Sequence, residues 1–225
     1  HLTPAEIQTL RERLGAKEGD LALLVADAKE KTVAESLGAV RLALGRKLKL
    51  IPASHHERYE FLWVTEFPLL EFDENERRYF ACHHPFTSPV PECVPDFLEG
   101  KNLGVMKASA YDLVLNGTEV GGGSLRIYNS TVQGAMFKNL GITPEEAQQK
   151  FGFFLEALPY GTPPHGGIAF GIDRLAAILS DVDAIRDVMA FPKTQKGTDL
   201  MAESPSSLAQ AQLLELGLSI RKTVS

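Results

Sequence analysis

Tyr111–Tyr128 reads YDLVLNGTEVGGGSLRIY, two strand-forming runs joined by Asn116-Gly117. That dipeptide suits the two positive-φ positions of a tight hairpin turn, so the segment predicts a β-hairpin and an antiparallel sheet. A two-residue turn sets Leu115 opposite Thr118, Val114 opposite Glu119 and Asp112 opposite Gly121. Alternation then places Asp112, Val114, Glu119, Gly121 and Gly123 on one face. Asp112 and Glu119 become diagonal neighbours about 7–8 Å apart, near enough to meet around a hydrated Mg²⁺. Gly121–Gly123 leaves bare backbone on which a flat ligand could lie. Two solvated acids beside a glycine bulge account for the same residues without a ligand, and the pattern leaves both readings open. Strict alternation turns Arg126 away from Glu119. One extra residue within Gly121–Gly123 would bring both to one site, and a bulge is expected there; otherwise Arg126 is a surface ion-pair residue.

Two flanking segments extend the pattern. Gly167–Arg174, GIAFGIDR, reads as a strand running into a helix, with Arg174 in the first helical turn. A cation there opposes the helix dipole at a cost of about 0.3–1 kcal/mol unless an anion or ring lies beside it. A guanidinium can pair with phosphate and stack on an adenine ring at once. Asp173 offsetting Arg174 is the plainer explanation, and alone this segment is a weak nucleotide signal. Upstream, His83-His84 closes a strand and opens a proline-rich loop. Neighbours on a strand face opposite ways, so the pair should not share a metal. One imidazole could serve a polar ligand while the other orients the loop, although such histidines are more often structural. His55 and His56 carry no assigned chemistry, and His165 could be a turn residue.

Further out, Thr3–Leu14 has the cap, proline and apolar spacing of a helix. Leu21–Ala26 reads as a short strand, and Lys29–Leu44 as a second helix. A boundary is expected near Pro52, separating residues 1–52, the tail of a small α+β unit, from residues 53–225. The latter should be α+β, an antiparallel sheet with flanking helices. Its expected strands are Tyr59–Phe72, Arg77–His84, Tyr111–Leu115, Thr118–Tyr128 and Gly166–Gly171. Its expected helices start at Thr143, Asp173 and Ser206.

The 225 residues are 44% hydrophobic and 23% charged, as in an ordinary globular protein. The net charge of −6, with basic residues concentrated only in Arg41–Lys49, does not supply a general grip on nucleic-acid phosphates. No run is long and apolar enough to span a membrane, and no signal peptide is visible. Cys82 and Cys93, at neither metal nor redox spacing, suit a reducing cytoplasm. Because the first residue is His1 within apparent ongoing structure, the chain reads as an excerpt of a longer polypeptide.

Taken in order, FLWVTEFPLL, HHPFTSP, YDLVLNGTEVGGGSLRIYN, FGFFLEALPYGTPPHGGIAFGIDR and AFPKTQKGTDLM resemble the C-terminal half of bacterial-type aspartyl-tRNA synthetases. GIAFGIDR is similar to the third motif of the class II aminoacyl-tRNA synthetases. The resemblance implies that Asp112 and Glu119 hold Mg²⁺ and the ATP phosphates. It gives Arg126 the aspartate side chain and His83 the bound aspartate, with His84 in support. It gives Glu119, Gly171, Ile172, Asp173 and Arg174 to ATP. No residue is implied as a covalent nucleophile. Residues 1–50 resemble the end of the domain that the bacterial enzymes insert ahead of these segments. The first two class II motifs and the anticodon-reading barrel find no match. The resemblance therefore implies half an active site, inactive alone, within a homodimer that meets tRNA mainly through other regions. The alternatives fit less well, and lysyl- and asparaginyl-type relatives, which share the third motif, are not expected to carry HHPFTSP. An aspartate–ammonia ligase on this scaffold lacks the inserted domain, and a non-catalytic paralogue would lack Glu119, Arg126 or Arg174.

Overall fold

The computed structural model describes residues 2–221. The chain divides into two compact units between Ala53 and Ser54. In the first, α1 (Pro4–Leu14) starts from a capping box in which Thr3 and Glu6 satisfy each other's backbone N–H groups, and it stops at left-handed Gly15. The second helix, α2, spans Glu30–Lys47. The strand expected at Leu21–Ala26 does not form. A strand exists only in a ladder, and among the described residues this unit contains no second strand to pair with it. Leu21 and Leu24 stay exposed, and neither helix buries a residue.

The second unit runs β1 (Phe61–Val64), β2 (Leu70–Asp73), β3 (Arg78–Ala81), α3 (Val94–Glu99), β4 (Ala110–Leu115), β5 (Thr118–Leu125), α4 (Ser130–Asn139), α5 (Pro144–Ala157), β6 (Gly166–Phe170), α6 (Ile172–Leu179) and α7 (Gln210–Glu215). It is α+β. Strands β1-β4-β5-β6 form a wholly antiparallel sheet, and β2-β3 form a separate hairpin. The hairpin turn closes as expected, with Asn116 at φ 50° and Gly117 at φ 80°. The side chain of Asn116 also accepts from the Glu60 N–H at 2.9 Å and donates to the Arg58 carbonyl at 3.0 Å, docking the chain that enters β1.

Several boundaries differ from the sequence expectation. Tyr59–Phe72 is two strands in two sheets, because the chain takes a positive φ at Glu66 and loses a donor at Pro68. The exposed Glu66–Lys107 ion pair (2.7 Å) marks that corner. The strand at Arg77–His84 ends at Ala81, before the histidines. Helices α3 and α4 lie where no helix is expected from the sequence. α3 follows a short helical turn begun by Pro91, with Pro95 in its own first turn, where the missing N–H costs nothing. Asn129 caps α4 by accepting from Thr131 and Val132 N–H. α7 is shorter than Ser206–Leu216.

The main core joins Leu69, Leu70, Phe97, Met106, Ala110, Ile127 and Met136, knitting the β2-β3 hairpin, α3 and α4 to the base of β4-β5. A second, smaller core joins Leu115 and Val120 to Ile178 of α6. Val120 belongs to that cluster through a register shift. Val114 pairs with Glu119 while Leu113 pairs with Gly121, so Val120 is the extra residue of a β-bulge. The expected bulge therefore exists one residue earlier than Gly121–Gly123. Glycine permits a bulge, but the apolar Val120 side chain is driven inward, to 1% exposure, and carries the distortion with it.

Candidate active site

The bulge decides which side chains meet. After it, Asp112 faces Gly122 and Ala110 faces Ser124, while Arg126 bridges Thr87 just beyond the strand end. Asp112, Glu119, Gly122, Ser124 and Arg126 thus share one face, which unbroken alternation would have divided. They line a cavity of about 550 Å³ together with His83, His84, Ala169, Phe170, Gly171 and Arg174, a volume in the small-molecule range. The glycines keep its floor low. A side chain at Gly122 would run into the Asp112 carboxylate, and one at Gly123 into the Gly167 carbonyl of β6.

At one end stand Asp112, Glu119 and Arg174. Burial, followed by the charge of Glu119, raises the Asp112 pKa above the ordinary aspartate value, and His83 partly opposes this. Arg174, in the first turn of α6, donates to the Glu119 carbonyl at 2.7 Å and lies 3.3 Å from its carboxylate. This anion offsets the unfavourable dipole. The segment's backbone is tied back to the bulge, where the Gly171 N–H donates to the Val120 carbonyl at 2.9 Å. Two carboxylates on one face suit Mg²⁺, which keeps several waters and is held by one or two carboxylates plus phosphate oxygens. Among the described residues no cluster of three or more His, Cys, Asp or Glu could hold a metal by itself.

At the other end, Arg126 is half-buried, and among the described residues no carboxylate pairs with it. Its backbone N–H donates to the His165 carbonyl at 2.9 Å. Its Nη1 lies 3.2 Å from Nδ1 of His84. Burial first, then the charges of Arg126 and His83, lower the His84 pKa. His83 packs edge-on against Phe67 at 5.2 Å. Both histidines line the same cavity, contrary to the strand alternation expected of them, because the strand has ended and the chain bends at Cys82-His83.

Of the residues singled out from sequence, His83, His84, Asp112, Glu119, Arg126, Gly171 and Arg174 are brought together here. Ile172 and Asp173 do not line the cavity. Ser124, Ala169 and Phe170 also line it, without having stood out in the sequence. Ser124, two residues before Arg126, was recoverable from alternation, and its hydroxyl is buried without a protein partner. His55 and His56 bind the end of α6, through Asp181 at 2.7 Å and the Leu179 carbonyl at 3.0 Å.

An antiparallel sheet floored with glycine thus brings a carboxylate pair and a strand-to-helix arginine into one cavity. Residues 10–195 match the family described as tRNA synthetases class II (D, K and N), and the chain belongs to that family. It is 53% identical over 97% of its length to the aspartate–tRNA(Asp/Asn) ligase of Caldanaerobacter subterraneus subsp. tengcongensis. It is 55% identical over 96% of its length to the enzyme of the same name from Bacillus mycoides. The chain spans only 36% and 35% of the length of these two relatives. An aspartyl-tRNA synthetase structure from Entamoeba histolytica aligns over 87% of this chain and 32% of its own, with 18% identity and a TM-score of 0.46. Among the described residues, no helix is long and apolar enough to cross a membrane.

Proposed function

We propose that the protein to which this chain belongs activates aspartate with ATP and transfers the aspartyl group to tRNA. The observation that carries this reading is Arg126, a half-buried guanidinium without a carboxylate partner among the described residues, in the same cavity as Asp112, Glu119 and Arg174. An acidic amino acid would supply the missing anion as a bidentate partner, which lysine could not match. His83 would contact the bound aspartate. In the first step an α-carboxylate oxygen attacks the α-phosphorus of ATP, the bond to the β-phosphate bridge breaks, and aspartyl-adenylate and pyrophosphate form. In the second, a hydroxyl of the terminal tRNA ribose displaces AMP. These residues act by positioning and charge stabilisation, with no covalent nucleophile. Arg174 would release its hold on Glu119 to reach the γ-phosphate and adenine, with the Gly171–Arg174 backbone beside them. Asp112 and Glu119 would hold Mg²⁺, which when bound neutralises phosphate charge.

On the same reading, residues 1–52 are the tail of the inserted domain. The full-length protein is a cytoplasmic homodimer that contacts tRNA mainly through regions outside this chain, and this chain alone is inactive. Pyrophosphate exchange into ATP by the full-length protein should require aspartate. Exchange supported by lysine or asparagine instead would overturn the role given to Arg126. The relatives' names include both the aspartate and asparagine tRNAs. Charging assays with each tRNA separately decide between strict and relaxed tRNA choice.

A further inference from the structure

The second histidine of the pair has a partner that its sequence context did not indicate. Nδ1 of His84 receives two contacts, from the Phe86 backbone N–H at 3.1 Å and from Arg126 Nη1 at 3.2 Å. A backbone N–H and a guanidinium can only donate. Nδ1 must therefore present its lone pair, and the single ring proton of the neutral imidazole stands on Nε2. The other tautomer would set N–H against N–H, and an imidazolium would set cation against cation.

The ring is held so that this lone pair stays in place. The Pro85 carbonyl accepts from Nε2 of Gln133 at 2.8 Å, and Gln133 is fully buried in α4. The Phe86 carbonyl accepts from the Ile127 N–H at 2.8 Å, and its ring packs against Phe137, Phe151 and Phe154. Arg126 is thus pinned twice, by its backbone on the His165 carbonyl and by Nη1 on His84. The opposite edge of the guanidinium, Nε with Nη2, keeps two parallel donors in the geometry that grips a carboxylate.

We propose that His84 is a positioning residue, acting on the substrate through Arg126 as a neutral Nδ1 acceptor that aims the guanidinium fork. This deepens the reading of Arg126 as the acceptor of an acidic side chain, and it rests on that reading. It also departs from the role the resemblance implies, in which His84 supports His83. The charged and titratable groups around the His84 ring are Arg126 and His83 beside it, His165 across the aromatic hollow, and Asp112 and Glu119 further along the cavity. The nearest of these, Arg126 and His83, both oppose a proton on His84, as does burial.

The test separates acceptor position from bulk. In H84N the side-chain amide oxygen can occupy the place of Nδ1, whereas H84Q carries its amide out to the place of Nε2. In full-length protein, H84Q should raise the KM for aspartate in pyrophosphate exchange about tenfold, the loss of one hydrogen bond to a charged group. Its KM for ATP and its kcat should stay within about twofold of wild type. H84N should restore the aspartate KM to within about threefold. The wild-type aspartate KM should rise more steeply than that of H84N as the pH falls below the ordinary histidine range. Equal impairment of both variants, no effect in either, or a parallel rise in the KM for ATP overturns the proposal. Crystal structures of the unliganded variants read it independently of activity: the guanidinium should keep its place in H84N and leave it in H84Q. If wild-type exchange does not require aspartate, the substrate assignment falls, and these structures still decide whether His84 sets Arg126.

Discussion

The two ends of the cavity are built on opposite principles. Glu119 and Arg174 are exposed, lie in one strand and one helix start, and rest on each other through an ion pair that a ligand can displace. Arg126 and His84 are half-buried, come from the end of a strand and a proline loop, and are backed by an aromatic cluster and a buried glutamine. An exposed pair contributes little to stability and rearranges readily. A guanidinium fixed by its neighbours loses less freedom when it binds. The acidic end is suited to change partners, and the arginine end is set in advance to select one.

Disruption of the floor that joins the ends should have the largest effect. Gly123→Ala drives a methyl into the Gly167 carbonyl. It should destabilise the fold by about 1–3 kcal/mol, read by denaturant unfolding, and impair aspartate and ATP use together. Arg126→Lys should touch one end only, raising the aspartate KM of the full-length protein about 10- to 100-fold with the KM for ATP little changed. An equal rise in both constants would show that the ends do not act separately.

Val120→Ala should cost about 1.5 kcal/mol for two lost methylene equivalents. If the bulge depends on burial of that side chain, the variant should also weaken ATP use more than aspartate use. Glu119→Gln is the mirror of Arg126→Lys, with the KM for ATP rising roughly tenfold and that for aspartate unmoved. The smallest effect concerns pH. His84 has a lowered folded-state pKa. Its share of stability is therefore fully present above the ordinary imidazole range and lost as pH falls through the lowered value. Between neutral and mildly acidic pH, wild type should lose slightly more of its unfolding midpoint than H84N, by about a degree or two at most. A larger loss in H84N would reverse the sign assigned to His84.

Local chemistry made much of this legible. Asn116-Gly117 declares its turn because few residues take positive φ, and Thr143 with Glu146 declares a helix start through reciprocal capping. The cap of α4 at Asn129 is equally local, but it stands next to the expected strand end at Tyr128, whereas β5 ends at Leu125. The single strand drawn from Tyr59 to Phe72 failed because apolar alternation says nothing about which sheet a residue joins. The strand drawn at Leu21–Ala26 failed because a ladder needs a partner that composition cannot supply.

The sequence by itself determined the hairpin, the strand-to-helix turn at Gly171 and the identities of the charged groups, since each depends on residues within a few positions of one another. Only the tertiary structure decided that Val120 is the bulged residue, and hence that Asp112, Glu119 and Arg126 share a face. It also decided that His84 turns to Arg126. Those outcomes depend on α6 lying beneath β5 and on the aromatic cluster behind the proline loop. Contacts between segments distant in the chain select one register from several that the local pattern allows.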